Sequence, residues 1–343
     1  MEDYTLTPER QAFRDAMDAV ALRSKGNSTA ETARILGSAG MLGLLVPEEK
    51  DGTGLYMADA VELVRAAGVN LLEFPLVEAL LVSQLLSDSH SEIAESVMSG
   101  EMIASVAWRG SLNLSGASGD ISGWSGHLSR IPQASLARWV LAPAGPQSFV
   151  ILDLNAIQTR SEVGRTFDIG RSYEDLAIAD LWIEEDRALR LQTVNVHAFH
   201  RAARLLRAAE MLGLAEASFA EGKERAILRK QFDKPIVAHQ SVRHQLAYDH
   251  LRLTGAALNI SYAAQAIDKG GEDADMACDV ACADAARTCR SVIENAMQLH
   301  GALGFTWDMD LHKRLRRVRM LTQLYDGATA LHAIAQRLIG QCG

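Results

Sequence analysis

Long uncharged apolar runs are missing from this chain. No stretch of about 18 such residues occurs, the length a bilayer-crossing helix requires. The most apolar segment, Leu71 to Leu86, carries Glu73, Glu78 and a proline. A membrane span is therefore not expected. Also missing is a Lys/Arg stripe with interleaved aromatics, and the net charge is -9. Nucleic acid is not an expected partner. Cysteine is scarce: the four residues Cys278, Cys282, Cys289 and Cys342 make no disulfide framework. The first three fall at i, i+4 and i+11 on one helical face, with no second ligand cluster, so they read as small buried apolar residues. His197 and His200, and His244 and His250, lack metal-ligand spacing and read as polar helix positions. No metal is expected. Repeats and low-complexity tracts are absent. The opening residues, MEDYTLTPER, are acidic and polar and do not read as a secretory leader, so a cytoplasmic location is expected.

What is present is ordinary globular material: 343 residues, 48% hydrophobic and 22% charged, enough for two or three structural units. Three textures follow one another. Residues 1–103 read as an N-terminal helical domain. Thr7-Pro8-Glu9 supplies a hydroxyl cap, a first-turn proline and an acid, and further helices are expected over 57–68 and 76–86. Residues 104–188 hold short apolar runs bounded by Gly, Pro and Asp, such as Trp139 to Ala142 and Phe149 to Leu152. These predict a small middle β-sheet or barrel domain, read as antiparallel. Residues 189–343 are helical again. Leu246, Leu253, Ala257, Ile260, Ala264 and Ile267 form one apolar stripe; Cys278, Cys282, Ala285, Cys289, Val292, Ala296 and Leu299 form another. Two long helices joined at Lys269-Gly270-Gly271 belong to a C-terminal four-helix bundle. The fold class is thus α+β and mostly helical.

Four segments carry more than periodicity. Arg229-Lys-Gln-Phe-Asp-Lys-Pro-Ile236 is followed by Val237-Ala-His-Gln240. Gln298-Leu-His-Gly-Ala-Leu-Gly-Phe305 is rich in glycine. Leu324-Tyr-Asp-Gly327 comes near the end, and Gly40-Met-Leu-Gly-Leu-Leu-Val-Pro-Glu-Glu49 near the start. In this order and spacing they resemble the signatures of the acyl-CoA dehydrogenase family, across the whole chain, best at its two ends and least in the middle. The resemblance implies FAD as cofactor. Arg229 would fork onto the diphosphate, with Gln231, Phe232 and Gln240 beside it. Gln298, Gly301, Ala302 and Gly304 would form a turn supplied by a neighbouring subunit to the adenosine end, Gly301 and Gly304 permitting close backbone approach. Ala302 replaces a family glycine. Read locally instead, Arg229 is a helix-end cation and residues 301–304 are a helix stop.

The resemblance also implies oxidation of an acyl-CoA at Cα–Cβ, a carboxylate removing the α-proton as hydride leaves for the flavin. The matching position is Asp326, flanked by Tyr325 and Gly327 in substrate-binding positions, where the family has Glu. Aspartate retracts the carboxylate by on the order of 1 Å, a displacement that can cost about 100-fold in rate. Three readings stay open: the backbone has moved inward, the substrate differs as in the nitroalkane oxidases of the same fold, or Asp326 caps the following helix. Arg204 reads either as a coenzyme A contact or as part of a solvated basic face with Arg201 and Arg207. The middle region departs most from the family: the T-E-x-x-x-G-S-D and W-I-(T/S) stretches that hold the flavin ring are missing, and the region from Ala104-Ser-Val-Ala-Trp-Arg-Gly110 onward is shortened. Such chains resemble subunits that pair with a second acyl-CoA dehydrogenase chain, so a homo- or hetero-oligomer with a composite site is expected. The substrate expected is a bulky acyl-CoA, such as one with a sterol side chain or a dicarboxylate, and the acceptor an electron-transfer flavoprotein. The alternatives are a non-catalytic subunit completing another chain's flavin site, and a flavin oxidase.

Overall fold

The computed structural model describes residues 7–118, 121–145, 148–155, 161–163, 166–184, 188–191, 196–325, 331–332, 334–337 and 339. Helix α1 (Pro8–Ser24) starts where its cap predicts: Arg10 N donates to Thr7 Oγ1 at 3.3 Å. Helix α2 (Thr29–Ser38) opens on a capping box, Ser28 N donating to the Glu31 carboxylate at 2.8 Å and Glu31 N to the Ser28 hydroxyl at 3.3 Å. Helices α3 (Met57–Val69) and α4 (Leu76–Leu86) form over the expected residues, and α5 (Ser91–Met98) follows.

Strands then take over: β1 (Ala104–Val106), β2 (Arg109–Ser118), β3 (Ile121–Pro132), β4 (Trp139–Pro143), β5 (Phe149–Asp153), β6 (Ser161–Val163), β7 (Tyr173–Glu184) and β8 (Ala188–Leu191). They make two four-stranded sheets, in the orders β1-β4-β5-β8 and β2-β3-β7-β6. The antiparallel expectation fails at one ladder. Strands β1 and β4 are parallel, Ala104 standing opposite Trp139. Between them the chain leaves for the β2–β3 hairpin of the other sheet, and that excursion is long enough to return β4 in the same direction as β1.

The last part is helical: α6 (Val196–Leu228), a two-stranded ribbon of β9 (Lys230–Gln231) and β10 (Lys234–Pro235), then α7 (Gln240–Asp268), α8 (Ala274–His300) and α9 (Leu311–Tyr325). The apolar stripes face inward: Leu246, Leu253, Ile260 and Ala264 on α7, and Cys278, Cys282, Ala285, Cys289, Val292 and Ala296 on α8, are all buried. The three cysteines are reduced and fully enclosed. Burial, with Glu216 and Asp284 near, pushes the Cys289 thiol up. Among the described residues no group of three His, Cys, Asp or Glu side chains could hold a metal ion, and no helix is long and apolar enough to cross a membrane.

The chain forms two compact units. One gathers Met1–Leu22, Met57–Leu72 and Arg204–Gly343; the other gathers Arg23–Tyr56 and Glu73–Ala203. In the first, Asp268 at the end of α7 caps α3 from outside its own segment, accepting from Met57 N at 2.8 Å and Ala58 N at 3.0 Å. Arg317 of α9, buried, donates to Leu72 O at 2.8 Å and to Glu210 of α6 at 3.3 Å. In the second unit the Trp108 indole N–H donates to Glu78 at 2.8 Å, and the ring stacks on Phe199 at 6.0 Å.

Candidate functional site

Arg229 is the first residue beyond α6. Its amide donates to Arg225 O at 2.9 Å and its carbonyl accepts from Ile236 N at 2.8 Å, so the backbone is pinned on both sides. The ribbon that follows turns at Phe232 and Asp233, both left-handed at φ 55° and 63°. That pair of conformations makes a tight two-residue hairpin. Aspartate tolerates it; a phenylalanine there costs on the order of 1 kcal/mol. Phe232 is nevertheless 84% exposed, with His239 edge-on at 5.9 Å.

Gly301 ends α8 at φ 66° and ψ -136°, a conformation for which glycine is suited. A Cβ placed on it would lie 3.3 Å from the Arg229 terminal nitrogen Nη1. The guanidinium therefore rests against the glycine turn of the same chain. The reason lies in the packing of α6 on α8: a Cβ on Gly222 would be 3.1 Å from Ala296 Cβ, and both helices end within two turns of that crossing. Gly304 folds the turn back on α8, since a Cβ there would stand 2.7 Å from Met297 O. Around this pair Gln231, Gln240, Gln298 and Ala302 are exposed. Among the described residues no ion pair engages Arg229. A guanidinium lying against a glycine backbone, with exposed neutral amides on the same segments, is chemistry that suits a phosphate or diphosphate.

Other expected residues fall elsewhere. Arg204 donates to Asp279 at 2.8 Å, and the second Asp279 oxygen is ion-paired with Arg337 at 3.2 Å. The Asp279 side chain is only 2% exposed, so this ion pair ties Arg204 into the helical interior. The solvated-face reading of Arg201, Arg204 and Arg207 is corrected: Arg207 is buried and the other two half-buried, because α6 is enclosed almost all round over residues 202–215. Tyr325 is the last residue of α9. Its side chain, and Asp326 and Gly327, lie outside the described residues. The Asp279 partner of Arg204 and the Arg317–Glu210 pair were not foreseen; both join residues remote in sequence, and no local spacing announces them.

Residues 195–339 match the sequence model of the acyl-CoA dehydrogenase C-terminal domain. The chain is 27% identical over 283 residues to acyl-CoA dehydrogenase FadE34 of Mycobacterium tuberculosis, covering 82% of this chain but 38% of that protein. It thus spans well under half of that relative. Acyl-CoA dehydrogenase IpdE2 of the same organism is 24% identical, over 94% of this chain and 95% of its own. Among solved structures, a chain of the ChsE4–ChsE5 complex from Mycobacterium tuberculosis has a TM-score of 0.87 at 21% identity, covering 98% of this chain and 99% of that one. A glutaryl-CoA dehydrogenase from Mycobacterium smegmatis in complex with FADH2 has a TM-score of 0.85 at 14% identity, covering 98% and 95%. Identities this low establish a shared fold.

Proposed function

From the match of residues 195–339 to the acyl-CoA dehydrogenase C-terminal domain, we propose that the chain is a member of that family and an FAD-dependent subunit oxidising an acyl-CoA thioester to the 2-enoyl thioester. The observation that carries this reading is the Arg229 guanidinium lying on the Gly301 turn without a carboxylate partner among the described residues. Arg229 would hold the diphosphate by charge-assisted hydrogen bonds, Gln231, Gln240 and Gln298 would add neutral ones, and the turn Gly301-Ala302-Leu303-Gly304 would admit the adenosine end. FAD supplies the hydride acceptor when bound. The glutaryl-CoA dehydrogenase of the same fold, solved with FADH2, supports that choice of cofactor.

Asp326 is the base in this reading. Its carboxylate takes the α-proton of the thioester, with Tyr325 and Gly327 beside the acyl group. A dry pocket would raise its pKa toward the working range. The electron acceptor proposed is an electron-transfer flavoprotein.

The site is composite, completed by a second acyl-CoA dehydrogenase chain. Two observations support this. The family's ring-holding stretches are missing, and in their region Trp108 is turned inward, hydrogen-bonded to Glu78 and stacked on Phe199. The turn and its surroundings also expose large apolar side chains, Phe232, Leu303, Phe305 and Trp307 among them, as a surface covered by cofactor and partner would. The ChsE4–ChsE5 structure, a complex of two chains, is a precedent within this fold. A bulky acyl group, such as a sterol side chain, is the substrate class proposed.

The aspartate at 326 favours a second reading, a non-catalytic subunit that completes its partner's flavin site. Turnover of Asp326→Asn in the reconstituted complex separates the two. A fall of about 100-fold or more, with flavin content unchanged, is expected of a base. Unchanged turnover would remove Asp326 from the chemistry and leave the supporting role.

A further inference from the structure

A second cationic site lies on α8 and α9. A cavity of about 640 Å³ is lined there by Arg287, Arg290, Ser291, Glu294, Arg319 and Thr322, among others. The volume is within the range of small-molecule sites. Arg287, Arg290 and Glu294 step by three and four along α8 and so share one face, while Arg319 reaches in from α9. Glu294 accepts from Arg290 Nε at 2.9 Å and from Arg319 Nη2 at 3.1 Å. One carboxylate thus joins two guanidiniums and neutralises only one of them. Arg287 has a long contact of 3.6 Å to Asp284 and an 85% exposed side chain.

The lining therefore holds three positive groups and one negative, and with Asp284 beside Arg287 the cluster keeps one net positive charge in a chain whose net charge is -9. Like charges converging on a concavity repel one another unless an anion is taken up. Each guanidinium has five N–H donors in a planar fork, and Arg290 and Arg319 each commit one to Glu294. The remaining donors match phosphate oxygens in pairs, a geometry arginine provides and lysine does not. The Ser291 hydroxyl adds a short polar group to the same wall, while the Thr322 hydroxyl there donates to Val318 O at 2.8 Å.

We propose that this cavity binds a phosphorylated small molecule, as a site distinct from the Arg229 turn. The inference does not depend on the dehydrogenase reading. Glu294 lies two turns before Gly301 on α8, about 10 Å along the axis at 1.5 Å per residue, so the two cationic sites are neighbours and the test must tell them apart.

Calorimetric titration of the full chain with inorganic pyrophosphate, before and after flavin loading, does so, with sodium sulfate at matched ionic strength as the control. Saturable binding of one pyrophosphate per chain is expected, persisting in Arg229→Gln. It should weaken by at least about tenfold in Arg287→Gln/Arg319→Gln, since two charge-assisted partners are lost. The proposal is overturned if the wild-type protein gives no saturable binding, if sulfate binds as well as pyrophosphate, or if the double variant binds like wild type. It is equally overturned if flavin loading or Arg229→Gln alone abolishes binding, which would assign the cavity to the cofactor.

Discussion

At the scale of single residues the site rests on one contact, Arg229 against Gly301, and that contact is open to substitution. In Gly301→Ala a methyl group would meet the guanidinium at 3.3 Å on a backbone at φ 66°. The left-handed conformation alone costs about 1 kcal/mol or more, and Arg229 must also swing away. The variant should show a thermal midpoint lower by several degrees together with weaker flavin retention. If the midpoint falls and retention does not, the turn is a helix stop only. Both residues were legible in the sequence, because a guanidinium and a glycine announce themselves by chemistry. The placement of Arg204 was not legible: its spacing from Arg229 allowed a coenzyme A contact, but its partner Asp279 lies 75 positions away and only the packed helices bring them together.

At the scale of elements, the long helices were readable because period and burial coincide, and the cysteine stripe of α8 became core. The β1–β4 ladder was not, since parallel pairing depends on where the chain goes between two strands and not on the strands themselves. The α7–α8 pair also holds a buried acid that no periodicity reveals. Asp249 accepts from Gln245 at 3.2 and 3.3 Å and from Asn295 at 2.9 and 3.1 Å, with Arg252 as the nearby cation. Burial raises its pKa above the ordinary aspartate value despite these donors. Because the folded value exceeds the unfolded one, the stabilisation linked to this group is complete below about pH 3.9 and is lost as pH rises through the folded value. Asp249→Asn removes that titration. Its urea midpoint, compared with wild type from pH 4 to 7, should gain on the wild type as pH rises. A constant difference between the two across that range would show that Asp249 ionises in the fold as it does in the open chain.

At the scale of the whole molecule, the two compact units cut across the order of the chain. Residues Met57–Leu72 join Arg204–Gly343, through the Asp268 cap on α3 and the buried Arg317 hydrogen bond to Leu72, although their sequence texture groups them with the N-terminal helices. Texture reports what each segment is, whereas grouping is decided by long-range polar contacts such as these. The proposed flavin site has the same character: half of it would lie in this chain, as the Arg229 turn, and half in a partner that would supply what the strand region lacks. The most direct test is therefore flavin content. The chain is co-expressed with a second acyl-CoA dehydrogenase chain, the complex is purified, and bound flavin per complex is measured from its visible absorption, for wild type and for Arg229→Gln. Stoichiometric flavin in the wild-type complex and a loss of at least about tenfold in flavin affinity in the variant are predicted, from the charge-assisted pair removed. A complex that binds flavin equally well with glutamine at position 229 would contradict the account.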